Sequence, residues 1–299
     1  MEFRSIFIAN PAKLSVKMGQ LVIQQEQEFT VPMEDISSLL LESRAISITA
    51  AALQELTANG VTVFLCDDAH LPAALALPMN RHSRQHKLLR GQISMTKPTQ
   101  KRIWQAVVTA KIANQAQCLH LLGHQEADTL RALSHQVRSG DPDNLEATAA
   151  AQYFPVLFGK GFTRGEVCRV NAALNYGYAI LRGAVARNLV VRGMEPCLGI
   201  FHHSELNQFN LADDLMEPYR PLVDLYVASQ VPDDDGPLTP LIKQQLFHLT
   251  NYLVEQNGKQ FRAITAIGRM TDSFSRMVQG GAGPMELPAL LPLQPYRYE

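Results

Sequence analysis

Short apolar stretches, five or six residues long and separated by turn residues, fill the first quarter of the chain. Phe3–Ile8 is apolar and β-branched, and Lys13–Lys17 and Gln20–Ile23 flank Met18-Gly19, which reads as a hairpin turn. Glu28–Val31, Ser37–Leu41 and Val61–Cys66 are further strand candidates. Between them Ser47 can cap a helix over Ile48–Ala58 that Asn59-Gly60 stops. Beyond Leu88 the apolar positions recur at helical spacing instead. The spacing predicts helices over Gln105–Leu122, Asp128–Val137, about Asp143–Phe154, Arg169–Arg187, Leu211–Tyr226, Pro240–Glu255 and Phe261–Met277. The expected fold class is therefore α+β. A small β-rich domain spans residues 1–76, and a linker around Pro78 covers 77–84. A larger all-α domain then covers 85–286, followed by a proline-rich, extended or partly disordered tail over 287–299.

Composition narrows the class. Of the 299 residues, 46% are hydrophobic and 18% charged, as in an ordinary globular protein with its own core. The four cysteines, Cys66, Cys118, Cys168 and Cys197, form no CxxC pair, so a zinc site is not expected. Their apolar neighbours suggest reduced, mostly buried thiols. The first residues lack the apolar core of a signal peptide, and no run approaches the roughly 18 apolar residues of a membrane span. The expected compartment is the cytoplasm, with no membrane contact.

The net charge of −1 is uninformative, but its distribution is not. Between Asp68 and Glu126 there is no acidic residue, while Arg81, Arg84, Lys87, Arg90, Lys97, Lys101, Arg102 and Lys111 all fall there. One-signed charge of this length can attract phosphate backbones. It can equally be a solvated helix face.

Two segments could carry chemistry. Glu146 stands in the first turn of a helix that opens after the breaker Ser139-Gly140-Asp141-Pro142. Asp143-Asn144-Leu145-Glu146 also fits a variant capping box, in which Glu146 would only satisfy a backbone donor. Further along, His202 and His203 follow an apolar run, and Asp213, Asp214 and Glu217 share a helix face. Carboxylates crowded in this way repel unless a cation or a basic partner lies among them. A histidine with carboxylates suits Mg²⁺ or Mn²⁺ better than structural zinc. The competing reading is a solvated acidic face. No GxSxG or Cys/His nucleophile pattern occurs.

Taken together, NAALNYGYAILRG (171–183), LGIFH (198–202) and LADDLMEPYRPLVD (211–224) resemble the signature of the catalytic subunit of the CRISPR-associated spacer-acquisition integrases, most like those of type II systems. The resemblance extends over the whole chain. It implies a metal-dependent DNA endonuclease and integrase that inserts short fragments into a repeat array, by attack of a DNA 3′-hydroxyl on a phosphodiester. It also implies that Glu146, ahead of the AAxYF-like Ala150–Phe154, His202 and Glu217 hold a catalytic Mg²⁺ or Mn²⁺, with Asp214 as a supporting acid and His203 as the competing histidine. Implied partners are double-stranded DNA, a second copy of the chain through the β domain, a smaller companion subunit and other type II CRISPR proteins. Phosphate contacts are expected from Arg81, Arg84, Lys87, Arg164 and Arg169.

Overall fold

The computed structural model describes residues 4–78, 82–234 and 236–296. The chain divides into two units, one running up to Ser83 and the other spanning Arg84–Tyr296.

In the first unit the elements are β1 (Arg4–Ile8), β2 (Lys13–Lys17), β3 (Gln20–Gln24), β4 (Glu28–Pro32), β5 (Ile36–Leu41), β6 (Ser47–Ile48), α1 (Ala50–Ala58), β7 (Thr62–Cys66) and β8 (Pro72–Ala76). They build two four-stranded sheets, ordered β1-β5-β7-β8 and β4-β3-β2-β6. Met18 and Gly19, both at positive φ, turn the β2–β3 hairpin. Ser47 does not cap α1 as expected: it pairs in β6, and the Thr49 hydroxyl accepts the Ala52 N–H at 3.2 Å. Leu14, Leu21, Leu39, Leu56 and Val63 are buried in the core of this unit.

The second unit carries α2 (Gln85–Ile93), α3 (Lys97–Leu121), α4 (Ala127–Ser134), α5 (Leu145–Phe158), α6 (Arg169–Val191), α7 (Asn210–Met216), α8 (Arg220–Gln230), α9 (Pro240–His248), β9 (Tyr252–Gln256), β10 (Lys259–Arg262), α10 (Ala263–Val278) and β11 (Ala289–Pro295). It is mostly helical rather than all-helical. The helix expected through Glu255 ends at His248, and Tyr252–Gln256 pairs antiparallel with Lys259–Arg262 across a turn at Asn257 and Gly258, both at positive φ. The expected tail contributes β11, the third strand of that sheet.

The helix expected over Leu211–Tyr226 is also divided. Pro218 and Pro221 have no N–H to continue an α-helical ladder, and Glu217–Tyr219 forms a 3₁₀ turn between α7 and α8. The buried Asn114 side chain of α3 fixes this turn. Its amide donates to the carbonyls of Pro218 at 2.7 Å and Pro288 at 3.0 Å, and its oxygen accepts the Leu290 N–H at 3.0 Å. Helix α6 approaches α8 so closely that a Cβ at Gly177 would lie 2.5 Å from Val223 Cγ1. The site described next is assembled on α3, α5 and this α7–α8 junction.

Of the four cysteines, none of them in a disulfide, only Cys118 is fully buried; Cys197 is exposed. Among the described residues no helix is long and apolar enough to cross a membrane.

Candidate active site

Helix α5 starts from an irregular loop in which Gly140, Asp141 and Asn144 all adopt positive φ, a conformation that Asp and Asn accept more readily than most residues. The loop brings the Asp141 carboxylate back onto the helix start, where it accepts the N–H groups of Leu145 at 2.9 Å and Glu146 at 3.0 Å. Asp143 is engaged elsewhere, in a two-bond pair with Arg138. Asp141 thus takes the N-capping role that the spacing offered to Asp143. The Glu146 side chain instead meets Lys111 of α3, with Oε1 2.5 Å from Nζ.

Lys111 Nζ is also 2.6 Å from Glu217 Oε2, so a single ammonium touches both carboxylates. Glu217 sits at the first position of the 3₁₀ turn and is buried. Its other oxygen faces Arg220 at 3.1 Å. Oε2 faces the Lys111 ammonium, so both carboxylates turn an oxygen to one buried cationic position, an arrangement that suits a cation taking oxygen lone pairs.

The segment before His202 wraps around a different carboxylate. Asp214, fully buried on α7, accepts the N–H groups of Ile200 at 2.6 Å, Phe201 at 3.0 Å and His202 at 3.2 Å. The same carboxylate lies 2.6 Å from His202 Nδ1. Gly199 permits the tight wrap: a Cβ there would stand 2.0 Å from the His202 carbonyl oxygen. The His202 ring meets Trp104 and Phe201 edge to face, and those two rings stack with centroids 4.2 Å apart. With Nδ1 held by Asp214, Nε2 is the nitrogen left to meet a ligand.

The electrostatics join these groups. The His202 pKa is raised, first by its bond to Asp214 and further by the charges of Asp214, Glu217 and Glu146, against the opposing effect of burial. For Glu217, burial works to raise the pKa, but Arg220 and Lys111 overcome it and hold the carboxyl below its ordinary range. For Lys111, burial works to lower the pKa, and Glu217 and Glu146 more than reverse it. Glu146 and Glu217 thus act on one another through Lys111, and both act on His202. Among the described residues, no three His, Cys, Asp or Glu side chains form a closed ligand shell as they stand.

A further buried carboxylate interacts with Arg220 of this cluster. Asp224 of α8 accepts the hydroxyls of Tyr153, at 3.1 Å, and Tyr178. Burial is the main cause that raises its pKa from 3.8 to about 6. The folded protein therefore binds this proton more tightly than the unfolded chain. The resulting stability is present at low pH and is lost as pH rises from the ordinary carboxylate value through about 6. The loss amounts to roughly 3 kcal/mol. Relative to Asp224→Asn, the wild-type protein is expected to lose thermal stability across this window. Parallel melting-temperature profiles for the two proteins would contradict the assignment.

The other expected residues fall as follows. Asp213 leaves the acidic set: it is buried and paired with Arg182 at 2.7 and 3.1 Å and with Asn207 at 2.7 Å, so the acidic face is not solvated. His203 is exposed and lines a cavity with Gln92, Gln100 and Asn207, whereas the neighbouring His202 is the one held by Asp214. Arg84 and Lys87 are exposed at the start of α2. Arg169 is drawn inward to Asp234 at 2.6 Å and the Gly236 carbonyl at 3.0 Å. Arg164 bonds Asn171 and Asn175 and lies over the Tyr178 ring. Arg81 lies outside the described residues. The sequence reading missed Lys111 and Arg220 as members of the site. Their only sequence signal is an ordinary basic residue on a helix; what sets them apart is contact with the Glu217 carboxylate, Lys111 in a buried position and Arg220 in a partly buried one.

Comparison with known proteins bears on this arrangement. The family model for CRISPR associated protein Cas1 matches residues 6–235. The chain is 45% identical, over 304 aligned positions and 100% of both sequences, to the CRISPR-associated endonuclease Cas1 of Neisseria meningitidis serogroup C (strain 8013). A casposase bound to integration product has the same fold, with a TM-score of 0.75 at 18% identity, covering 94% of this chain and 91% of the other. A chain of a Cas6-RT-Cas1–Cas2 complex gives a TM-score of 0.68 at 17% identity, covering 93% of this chain and 35% of that one. At these identities the two structural likenesses speak for fold alone.

Proposed function

Because the chain belongs to the Cas1 family of CRISPR-associated proteins, we propose that it is a metal-dependent DNA endonuclease and integrase of CRISPR adaptation, which inserts short DNA fragments into a repeat array. The observation that carries this reading is the meeting of Glu146 and Glu217 at one buried cationic position, beside a histidine whose ring is fixed by Asp214.

In this reading Glu146, Glu217 and the Nε2 of His202 hold one Mg²⁺ or Mn²⁺. Two hard oxygens and a neutral imidazole are an appropriate donor set for these ions, and Glu146 Oε1 and Glu217 Oε2 both turn toward one cationic position. The bound ion would supply Lewis-acid stabilisation of the charge that develops on the attacked phosphate and on its entering and leaving oxygens. The chain's own residues do the positioning. Asp214 keeps the imidazole from rotating, and Trp104 and Phe201 wall off one side of it. Arg220 takes the outer oxygen of Glu217 and fixes that carboxylate's rotation. In the reaction, the 3′-oxygen of the incoming strand forms a bond to phosphorus as the bond to the leaving oxygen breaks. Phosphate contacts away from the reacting centre come from exposed cations such as Arg84 and Lys87. Arg164 and Arg169, engaged within the fold, are structural in this account. The partners are duplex DNA, a second copy of the chain and a small companion subunit of the kind named in the Cas1–Cas2 complex.

The test is a strand-joining assay. It combines purified protein and companion, a short duplex with free 3′-hydroxyls, and a supercoiled plasmid carrying a repeat. Joined product is expected with Mn²⁺ or Mg²⁺ and absent in chelator; joining in chelator would overturn the mechanism.

A further inference from the structure

Lys111 is not a usual occupant of a protein interior. Its side chain is 8% exposed, and its ammonium touches oxygens from two carboxylates brought from different helical segments, Glu146 on α5 and Glu217 at the α7–α8 junction. Burying an ammonium is costly, and an apolar side chain of similar length would fill the same space on α3 without that penalty. The contacts the ammonium makes are therefore its distinguishing feature.

Those contacts have a consequence for cation binding. Glu146 Oε1 and Glu217 Oε2 are the oxygens nearest Lys111, and they belong to the two carboxylates that the proposed function assigns to the metal. An ammonium at hydrogen-bond distance and a divalent ion at coordination distance cannot both use these lone pairs. At contact range in a buried site, their like charges also repel strongly. We infer that Lys111 is a positioning residue that competes with the divalent cation for Glu146 and Glu217: it draws the two carboxylates together against their mutual repulsion, and it yields its contacts when the cation is bound. The inference rests on the metal reading above.

It also yields a selectivity. A monovalent ion such as Na⁺ or K⁺ brings no more charge than the ammonium it must displace, whereas Mg²⁺ or Mn²⁺ brings twice as much. Lys111 thus weakens the site for every cation, but weakens it most, relative to what is gained, for monovalent ones. Arg220 cannot take over this role, because it contacts the other oxygen of Glu217, Oε1.

The experiment is Mn²⁺ binding to the DNA-free, full-length protein, followed by calorimetry and by the Mn²⁺-induced shift in melting temperature. Lys111→Met is expected to bind Mn²⁺ about tenfold more tightly than wild type, or better, and to melt lower than wild type in chelator. Lys111→Arg, which keeps the charge, is expected to stay near wild-type affinity. If Lys111→Met does not fold, the neutral Lys111→Gln carries the same expectation. A lysine that only supports the fold would give unchanged or weaker Mn²⁺ binding on neutralisation, and that result, or equal tightening by Lys111→Arg, overturns the inference while leaving the metal reading intact. If neither wild type nor the neutral variants take up Mn²⁺ and Glu217→Gln makes no difference, the metal reading fails, and the inference with it.

Discussion

Glutamine at position 217 is expected to lower strand joining by about three orders of magnitude or more, with no rescue by excess Mn²⁺. The substitution keeps the shape of the side chain, so packing at the α7–α8 junction is retained. What it removes is one negative charge at a point where Lys111 Nζ lies 2.6 Å from one oxygen and Arg220 Nη2 lies 3.1 Å from the other. The buried Lys111 would then keep Glu146 as its carboxylate partner, and the partly buried Arg220 would lose its contact to position 217. Breaking a buried pair in this way costs about 3–5 kcal/mol. The melting temperature in chelator should therefore fall as well. Activity within about tenfold of wild type would mean that Glu217 is a structural acid and no ligand.

Asp214→Asn is expected to have the next largest effect, by a different route. The carboxylate of Asp214 accepts three successive backbone N–H groups, from Ile200, Phe201 and His202, and holds the His202 ring at Nδ1. An amide at this position presents a donor in place of one acceptor, so at least one buried N–H meets another donor. The segment that carries His202 then loses its anchor, and the imidazole loses its fixed orientation. Loss of such an orienting partner typically costs 10–100-fold in metal affinity. Joining is expected to fall by about 100-fold, and the fold to lose roughly 3 kcal/mol. Mn²⁺ titration together with urea unfolding checks both. Unchanged affinity with lowered stability would show that Asp214 serves the loop alone.

The sequence and the structure differ in instructive places. Glu146, His202, Asp214 and Glu217 were legible because each lies in or beside a distinctive run of residues: the helix start ahead of Ala150–Phe154, LGIFH, and DDLME. Lys111 was not, because a lysine in the middle of a long helix reads as solvated, and only the approach of α5 and the 3₁₀ turn to α3 buries it. The same limit applies to the capping box. Spacing alone made Asp143 and Glu146 partners, but a loop with three residues at positive φ delivers Asp141 to the helix start instead. Among the elements, β1–β5 and β7 of the first unit coincide with the short runs expected as strands, whereas β6 falls where a helix start was expected and β8 was not expected. The β9–β10 hairpin was hidden because Tyr252–Glu255 continues the helical spacing of α9, although Asn257-Gly258 is a hairpin signal. The division of the expected Leu211–Tyr226 helix carries the most meaning for function. Two prolines break the ladder there, and the resulting turn brings Glu217 to Lys111.

Whether Glu146, His202 and Glu217 share one divalent cation can be read from anomalous diffraction of crystals of the protein soaked in Mn²⁺. A strong manganese peak is expected in contact with a carboxylate oxygen of Glu146, a carboxylate oxygen of Glu217 and Nε2 of His202, and it is expected to vanish in Glu217→Gln. A well-ordered manganese bound elsewhere in a DNA-competent crystal, with Lys111 still bridging the two carboxylates, would contradict it.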